Sequence, residues 1–190
     1  MYLFFDTETT GIPRNYKAPV TDLDNWPRLV QIAWLVSDVN ANEITSSCHI
    51  VKPDGFTIPE DAARVHGITT ERALTDGIAL QNVLDELIPH LQRATVLVAH
   101  NMQFDEKILG AELLRMGHPN VLLAKQRVCT MQSSTNYCQL PGRYGYKWPT
   151  LQELHDVLFN QSFGDAHNAL ADVRACARCF HELRTRRVMY

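Results

Sequence analysis

The sequence has almost nothing that a secreted, membrane-embedded or disulfide-stapled protein needs. No apolar run approaches the ~20 residues of a membrane span. The amino-terminal MYLFFDTETTG shows neither the basic start nor the long apolar stretch of a signal peptide. The five cysteines, Cys48, Cys129, Cys138, Cys176 and Cys179, are odd in number and scattered, which argues against a disulfide framework. Cys176 and Cys179 form a C-x-x-C with His181 nearby, but no second ligand pair accompanies them. A structural zinc is therefore not expected, and two small apolar packers in a reducing compartment are. The expectation from these features is a cytoplasmic enzyme or domain. Internal repeats, low-complexity tracts and domain-splitting linkers are also missing.

Excess positive charge is lacking too. The formal net charge is −3, without the overall basic footprint common among nucleic-acid binders. Carboxylates clustered in a site would hide basic surface in that total. Positive charge is concentrated locally at Lys125, Arg127, Arg143 and Lys147, and again at Arg184, Arg186 and Arg187. Each group fits a solvated face as well as a binding surface, the second group more so.

What is present is an ordinary globular composition, 45% hydrophobic and 21% charged over 190 residues, enough for one sizeable core. Residues 2–6, 29–37 and 46–52 read as strands joined by short connections, hence an antiparallel meander. Residues 12–28 carry Pro13, Pro19 and Pro27 and read as a long loop. Trp26 within it either stacks on a base or packs against the sheet. Leu80, Val83, Leu84, Leu87, Ile88 and Leu91 have helical period, with Pro89 expected to kink or shorten their helix. Residues 95–99 form a fourth strand. A helix capped by Asn101 runs to about Met116 and stops at Gly117. A short strand near 127–129 follows, then helices near 150–158 and 167–185. In the last, Ala169, Leu170, Val173, Ala177 and Phe180 make the stripe that packs on the sheet. The pattern predicts an α/β domain with a mixed central sheet, three antiparallel strands followed by parallel ones, flanked by helices.

The chemistry lies in acidic residues at the strand ends. Asp6 and Glu8 are two apart on a strand, so both side chains share a face. Paired carboxylates repel unless a cation separates them, and carboxylate oxygens suit Mg²⁺ or Mn²⁺. Alone, the pair is more simply a solvated strand end. Asp105 falls in the first turn of a helix, where the dipole favours negative charge. His100 and Asn101 precede it at the carboxyl end of a strand, the usual location of α/β sites. Asp172 flanks the apolar stripe of the last helix, and His167 lies at its entrance. Four carboxylates at one end of one sheet suffice for two metals about 3.5–4 Å apart. A histidine with pKa near 6.5 can take a proton from water at neutral pH.

DTETTG (6–11), HNMQFD (100–105) and HNALAD (167–172) resemble, in order and spacing, the three motifs of the DEDDh 3′–5′ exonucleases. That family includes the proofreading subunit of bacterial DNA polymerase III and oligoribonuclease. The resemblance spans essentially the whole chain and implies a ribonuclease H-like fold and a single exonuclease domain over residues 1–190. It implies two-metal phosphodiester hydrolysis with Mg²⁺ or Mn²⁺, releasing nucleoside 5′-monophosphates from a nucleic acid with a free 3′ end. It assigns the metals to Asp6, Glu8, Asp105 and Asp172, and the general base to His167. It sets Thr9 and Ile12 against the terminal nucleotide. His66, Asn101 and Phe104 would line the groove, with Lys147 as a further contact; for His66, Ile12 and Phe104, core packing is an equal alternative. Cys129-Thr130 stands where many members carry Asp-Thr. The segment 142–154 lies outside the motifs; its Arg143, Tyr144, Tyr146, Lys147 and Trp148 suit either a nucleic-acid groove or a packed loop.

The leading expectation is a metal-dependent 3′–5′ exonuclease, with DNA favoured over RNA, although reading a 2′-hydroxyl depends on close geometry. The alternatives are a non-catalytic nucleic-acid or partner-binding module on the same fold, a proofreading subunit docked on a polymerase, and a phosphohydrolase acting on nucleotides. Retention of every motif carboxylate argues against the non-catalytic module, and no segment marks a polymerase-docking tail or a membrane association.

Overall fold

The computed structural model describes residues 1–164 and 168–189. Three strands, β1 (Tyr2–Thr9), β2 (Leu29–Ser37) and β3 (Glu43–Ile50), form the antiparallel meander. The helices α1 (Glu60–His66), α2 (Thr70–Asp76) and α3 (Leu80–Arg93) follow. Next come β4 (Val96–Ala99), α4 (Met102–Arg115), β5 (Gln126–Cys129) and α5 (Thr130–Cys138). A small hairpin, β6 (Pro141–Gly142) and β7 (Gly145–Tyr146), precedes α6 (Leu151–Phe159) and α7 (Ala169–Thr185). The main sheet has the order β3-β2-β1-β4-β5, and β4 and β5 run parallel to β1. This is the mixed α/β sheet that the ribonuclease H-like fold requires.

Strand alternation divides the core. Leu3 and Phe5 of β1 join Trp34, Leu84, Leu87 and Leu109 on the face covered by α3 and α4. Phe4 points the other way, to Leu158, Val173 and Phe180 of α6 and α7. Of the expected stripe on α7, Ala169, Val173, Ala177 and Phe180 are buried and Leu170 is half-buried. Cys176 and Cys179 are buried free thiols, as apolar packers should be, and burial pushes Cys179 up to about 12.

Several boundaries differ from expectation. β1 continues to Thr9, so Asp6 and Glu8 lie within the sheet, opposite Ala33 and Gln31, rather than at a frayed end. β3 starts three residues before the expected 46–52 and ends two residues before its end, at Ile50. Pro89 does not shorten α3, which continues to Arg93 with buried Leu87 and Leu91 on either side of the proline. The apolar anchoring outweighs one missing backbone donor. Helices α1, α2 and α5 carried no apolar stripe long enough to foresee; α5 buries only Thr130 and Ser134.

The loop 12–28 is irregular, as its prolines predict, but it is tied down. Trp26 is only 3% exposed and its indole N–H donates to Pro19 O, so it packs rather than presenting itself to a base. Fully buried Glu112 of α4 accepts from Arg28 Nε at 2.9 Å, Leu29 N–H at 3.0 Å and an Arg115 guanidinium nitrogen at 2.8 Å. Arg115 in turn donates to the carbonyls of Leu23 and Trp26.

Candidate active site

Two-residue periodicity on β1 sends Asp6 and Glu8 to the α7 face. The first turn of α7 brings Asp172 over them. Oxygens of these three carboxylates lie within 4.8 Å of one another, a group that could hold a metal ion. Asn168 fixes this end of α7 by accepting from the N–H groups of Leu170 and Ala171. The expected base, His167, lies outside the described residues.

Asp105 enters from the opposite side. It is buried in the first turn of α4, and its Oδ1 accepts from Thr7 N–H at 3.0 Å and Thr7 Oγ1 at 2.7 Å. It stands beside the three-carboxylate cluster rather than within it, close enough to interact with the Asp6 and Glu8 charges. Burial, and then the charges of Asp105, Glu8 and Asp172, push the Asp6 carboxyl well above the usual carboxylate range. Burial and the Asp172 charge push Glu8 up to about 7. Burial takes Asp105 to about 7 as well, against the lowering effect of the Thr7 hydrogen bonds. Buried carboxylates this close do not all ionise at neutral pH unless cations join them. An all-oxygen donor set suits hard divalent cations.

The strand ends are positioned by one histidine that the sequence marked only as adjacent. β4 stops at Ala99, so His100 follows directly at its carboxyl end. Burial lowers His100 to about 4, so the ring is neutral. Its Nε2–H donates to Pro149 O at 3.0 Å, which leaves Nδ1 to accept from Thr130 Oγ1 at 2.9 Å. Both nitrogens are thereby committed, and His100 ties β4 to the entrances of α5 and α6. Thr130 of the unexplained Cys129-Thr130 pair thus orients His100. Asp6, His100, Asp172, Thr150, Leu151, Gln152 and Phe163 line one cleft of ≈ 450 Å³.

The expected groove residues divide. Thr9 is buried, and its hydroxyl donates to Gly11 O at 2.6 Å. Gly11 has φ +142°, which side-chain-bearing residues rarely adopt, so the turn after DTETT needs glycine. That turn leaves Ile12 74% exposed, as a nucleotide contact requires and a core residue does not. His66 is buried; its Nδ1 accepts from Ile68 N–H, while its Nε2, near the Thr9 backbone, has no well-formed hydrogen bond. It lines a second cleft with Gln31, Cys48, Asn168 and Leu170. Asn101 occupies the N-cap position of α4 but does not cap it; its left-handed backbone, φ 84°, turns the chain from β4 into the helix. Phe104 is half-buried against the α3–α4 core. Lys147 points its ammonium at Glu153 in an ion pair, not at the carboxylates.

The five-stranded mixed sheet flanked by helices has the ribonuclease H-like architecture, and three carboxylates from β1 and α7 meet at one end of it. Residues 3–180 match the Exonuclease family, and the chain belongs to that family. It is 29% identical over 177 residues to the DNA polymerase III subunit epsilon of Treponema pallidum, covering 93% of this chain and 73% of that protein. A crystal structure of E. coli exonuclease I with a dT13 oligonucleotide shares the fold at TM-score 0.79 and 20% identity, over 98% of this chain and 41% of that one. A zinc-ion-bound form of the E. coli exonuclease I–single-stranded DNA complex matches at TM-score 0.76 and 20% identity, over 97% and 40%. This chain thus spans about two fifths of the exonuclease I chains. Among the described residues no helix is long and apolar enough to cross a membrane.

Proposed function

We propose that residues 1–190 form a single exonuclease domain that removes nucleotides from the free 3′ end of single-stranded DNA. The observation that carries this is the meeting of Asp6, Glu8 and Asp172 within 4.8 Å at one end of the sheet, with Asp105 beside them. These four carboxylates would hold two divalent ions, Mg²⁺ or Mn²⁺, which when bound supply water activation and charge stabilisation at the leaving 3′ oxygen. Asp6 and Glu8 anchor the site from the sheet. Thr7 fixes the orientation of Asp105. The resemblance gives the proton of the attacking water to His167; His100, with both ring nitrogens committed, does not take it. Exposed Ile12 meets the terminal base, and Thr9 holds the turn that presents it. Asn101, Phe104 and His66 border the groove, and Lys147 acts at its outer edge. DNA is favoured because exonuclease I, on the same fold, is seen with dT13 and with single-stranded DNA and zinc. The unpaired thiols favour a reducing cytoplasm.

A panel of 5′-labelled substrates tests this: single-stranded DNA, duplex with a recessed 3′ end, and short RNA, each with Mn²⁺. A ladder shortening from the 3′ end, fastest on single-stranded DNA, is expected. Products that keep full length, or immediate release of the labelled end, would reject it. The likeness to a polymerase III epsilon subunit favours one second reading, a proofreading subunit. Stable co-purification with a polymerase, and preference for a mispaired recessed end over single strands, would select it.

A further inference from the structure

The hairpin β6–β7 takes no part in the site described above, yet it is attached to its wall. Its turn consists of Arg143 and Tyr144, between the paired Gly142 and Gly145. The turn is built rather than loose. Gly145 has φ +125°, and a Cβ on Gly142 would come within 3.0 Å of Gly145 O and Lys147 N. Lys147 N–H donates to Leu140 O at 2.9 Å and closes the base. On this loop Tyr144 is 89%, Tyr146 51% and Trp148 59% exposed. Large aromatics stay exposed at a cost in buried area unless something covers them. Tyr146 and Trp148 are two apart in sequence, and Lys147 between them turns to Glu153. The Arg143 guanidinium lies 5.0 Å from the centroid of the Tyr144 ring.

The segment leads directly into the cleft. Pro149, next to Trp148, accepts the hydrogen bond from His100, and Thr150, Leu151 and Gln152 line the cleft with Asp6 and Asp172. Tyr144 is six residues from Thr150, a reach of at most about 20 Å. Exposed aromatics beside a cation, on a track leaving a nuclease cleft, match the flat faces and charge of unpaired nucleotides. Every nucleotide outside the cleft of a 3′–5′ exonuclease lies 5′ of the one being removed.

We propose that Tyr144, Tyr146 and Trp148 form a stacking platform for the single strand 5′ of the scissile nucleotide, with Arg143 facing its backbone. This rests on the exonuclease function proposed above. The platform binds bases without reading them, so it favours length and single-strandedness over sequence.

The test compares kcat/KM for single-stranded oligonucleotides of about 3 and about 12 nucleotides, with Mn²⁺, in the wild-type chain and in Y144A/Y146A/W148A. The wild type should gain about 5- to 150-fold on lengthening, the range of one stacked base. The triple alanine variant should lose that gain, and Y144F/Y146F/W148F should keep it. Damage to the fold would lower both substrates together and leave the ratio intact. An unchanged ratio in the alanine variant, as a protein-docking surface would give, overturns the platform, and so does a wild type that gains nothing with length. Anisotropy with a labelled 12-mer, in D6N proteins that do not cut, separates the two proposals. Binding weakened by the alanine changes supports the platform even if the wild type cleaves nothing, whereas cleavage with unweakened binding overturns the platform alone.

Discussion

Thr7 holds Asp105 with two donors at once, its backbone N–H at 3.0 Å and its hydroxyl at 2.7 Å, both to Oδ1. The contact joins β1 to α4 between residues 98 positions apart, and it acts on the ionised form of a buried acid. A hydrogen bond to a charged group contributes about 1.5–3 kcal/mol. Thr7→Val keeps the shape and removes the hydroxyl. We expect kcat/KM to fall by about tenfold or more, with Thr7→Ser restoring most of it. Equal rates for wild type and Thr7→Val would show that Asp105 needs no such support.

The raised acids predict how metal and pH interact. Glu8 and Asp105 titrate near 7 in the folded metal-free chain, but near their ordinary values when unfolded. Between those limits the folded state binds more protons, so stability falls as pH rises toward 7. A bound cation removes that penalty. Thermal melts with and without Mn²⁺ should therefore show a larger rise in Tm at pH 8 than at pH 5. Asp6→Asn should raise the metal-free Tm at pH 8, by roughly 2–4 °C per kcal/mol of relieved repulsion. An equal Mn²⁺ effect at both pH values would contradict these shifts.

His100 is expected to act as a brace. Its neutral ring bridges Thr130 and Pro149. His100→Ala should cost about 1–3 kcal/mol in urea unfolding and slow cleavage, while the midpoint of the pH–rate profile stays in place. A midpoint displaced by this change would make His100 a titrating participant.

The presence of the strands, the alternation that pairs Asp6 with Glu8, and the helix carrying Asp172 were legible because each rests on a local period of two or 3.6. The bracing was not. Thr7 and Asp105 are far apart in sequence, and a threonine in a strand carries no sign that its hydroxyl will meet an acid. Helix α5 has no apolar stripe, so its periodicity is silent, and with it the role of Thr130. Asn101 was legible as a helix entrance but not as a left-handed turn, since both uses favour asparagine. Nothing in the periodicity singled out Glu112, which is the buried knot of the 12–28 loop.

That knot gives a stability prediction. Glu112→Ala leaves Arg28, Arg115 and the Leu29 N–H without their shared acceptor. Breaking a buried ion pair from one side costs about 3–5 kcal/mol. Urea denaturation should show that loss, and limited proteolysis should cut the 12–28 segment first. A variant as stable and as resistant as the wild type would remove Glu112 from this role.

The most direct measurement is the rate at which Asp6→Asn protein shortens 5′-labelled single-stranded DNA in Mn²⁺, with its circular dichroism recorded beside the wild type. If the carboxylates at the end of β1 carry the chemistry, the wild type yields a 3′-shortened ladder and Asp6→Asn yields none, with an unchanged spectrum. A folded Asp6→Asn protein that degrades the strand at the wild-type rate would contradict it.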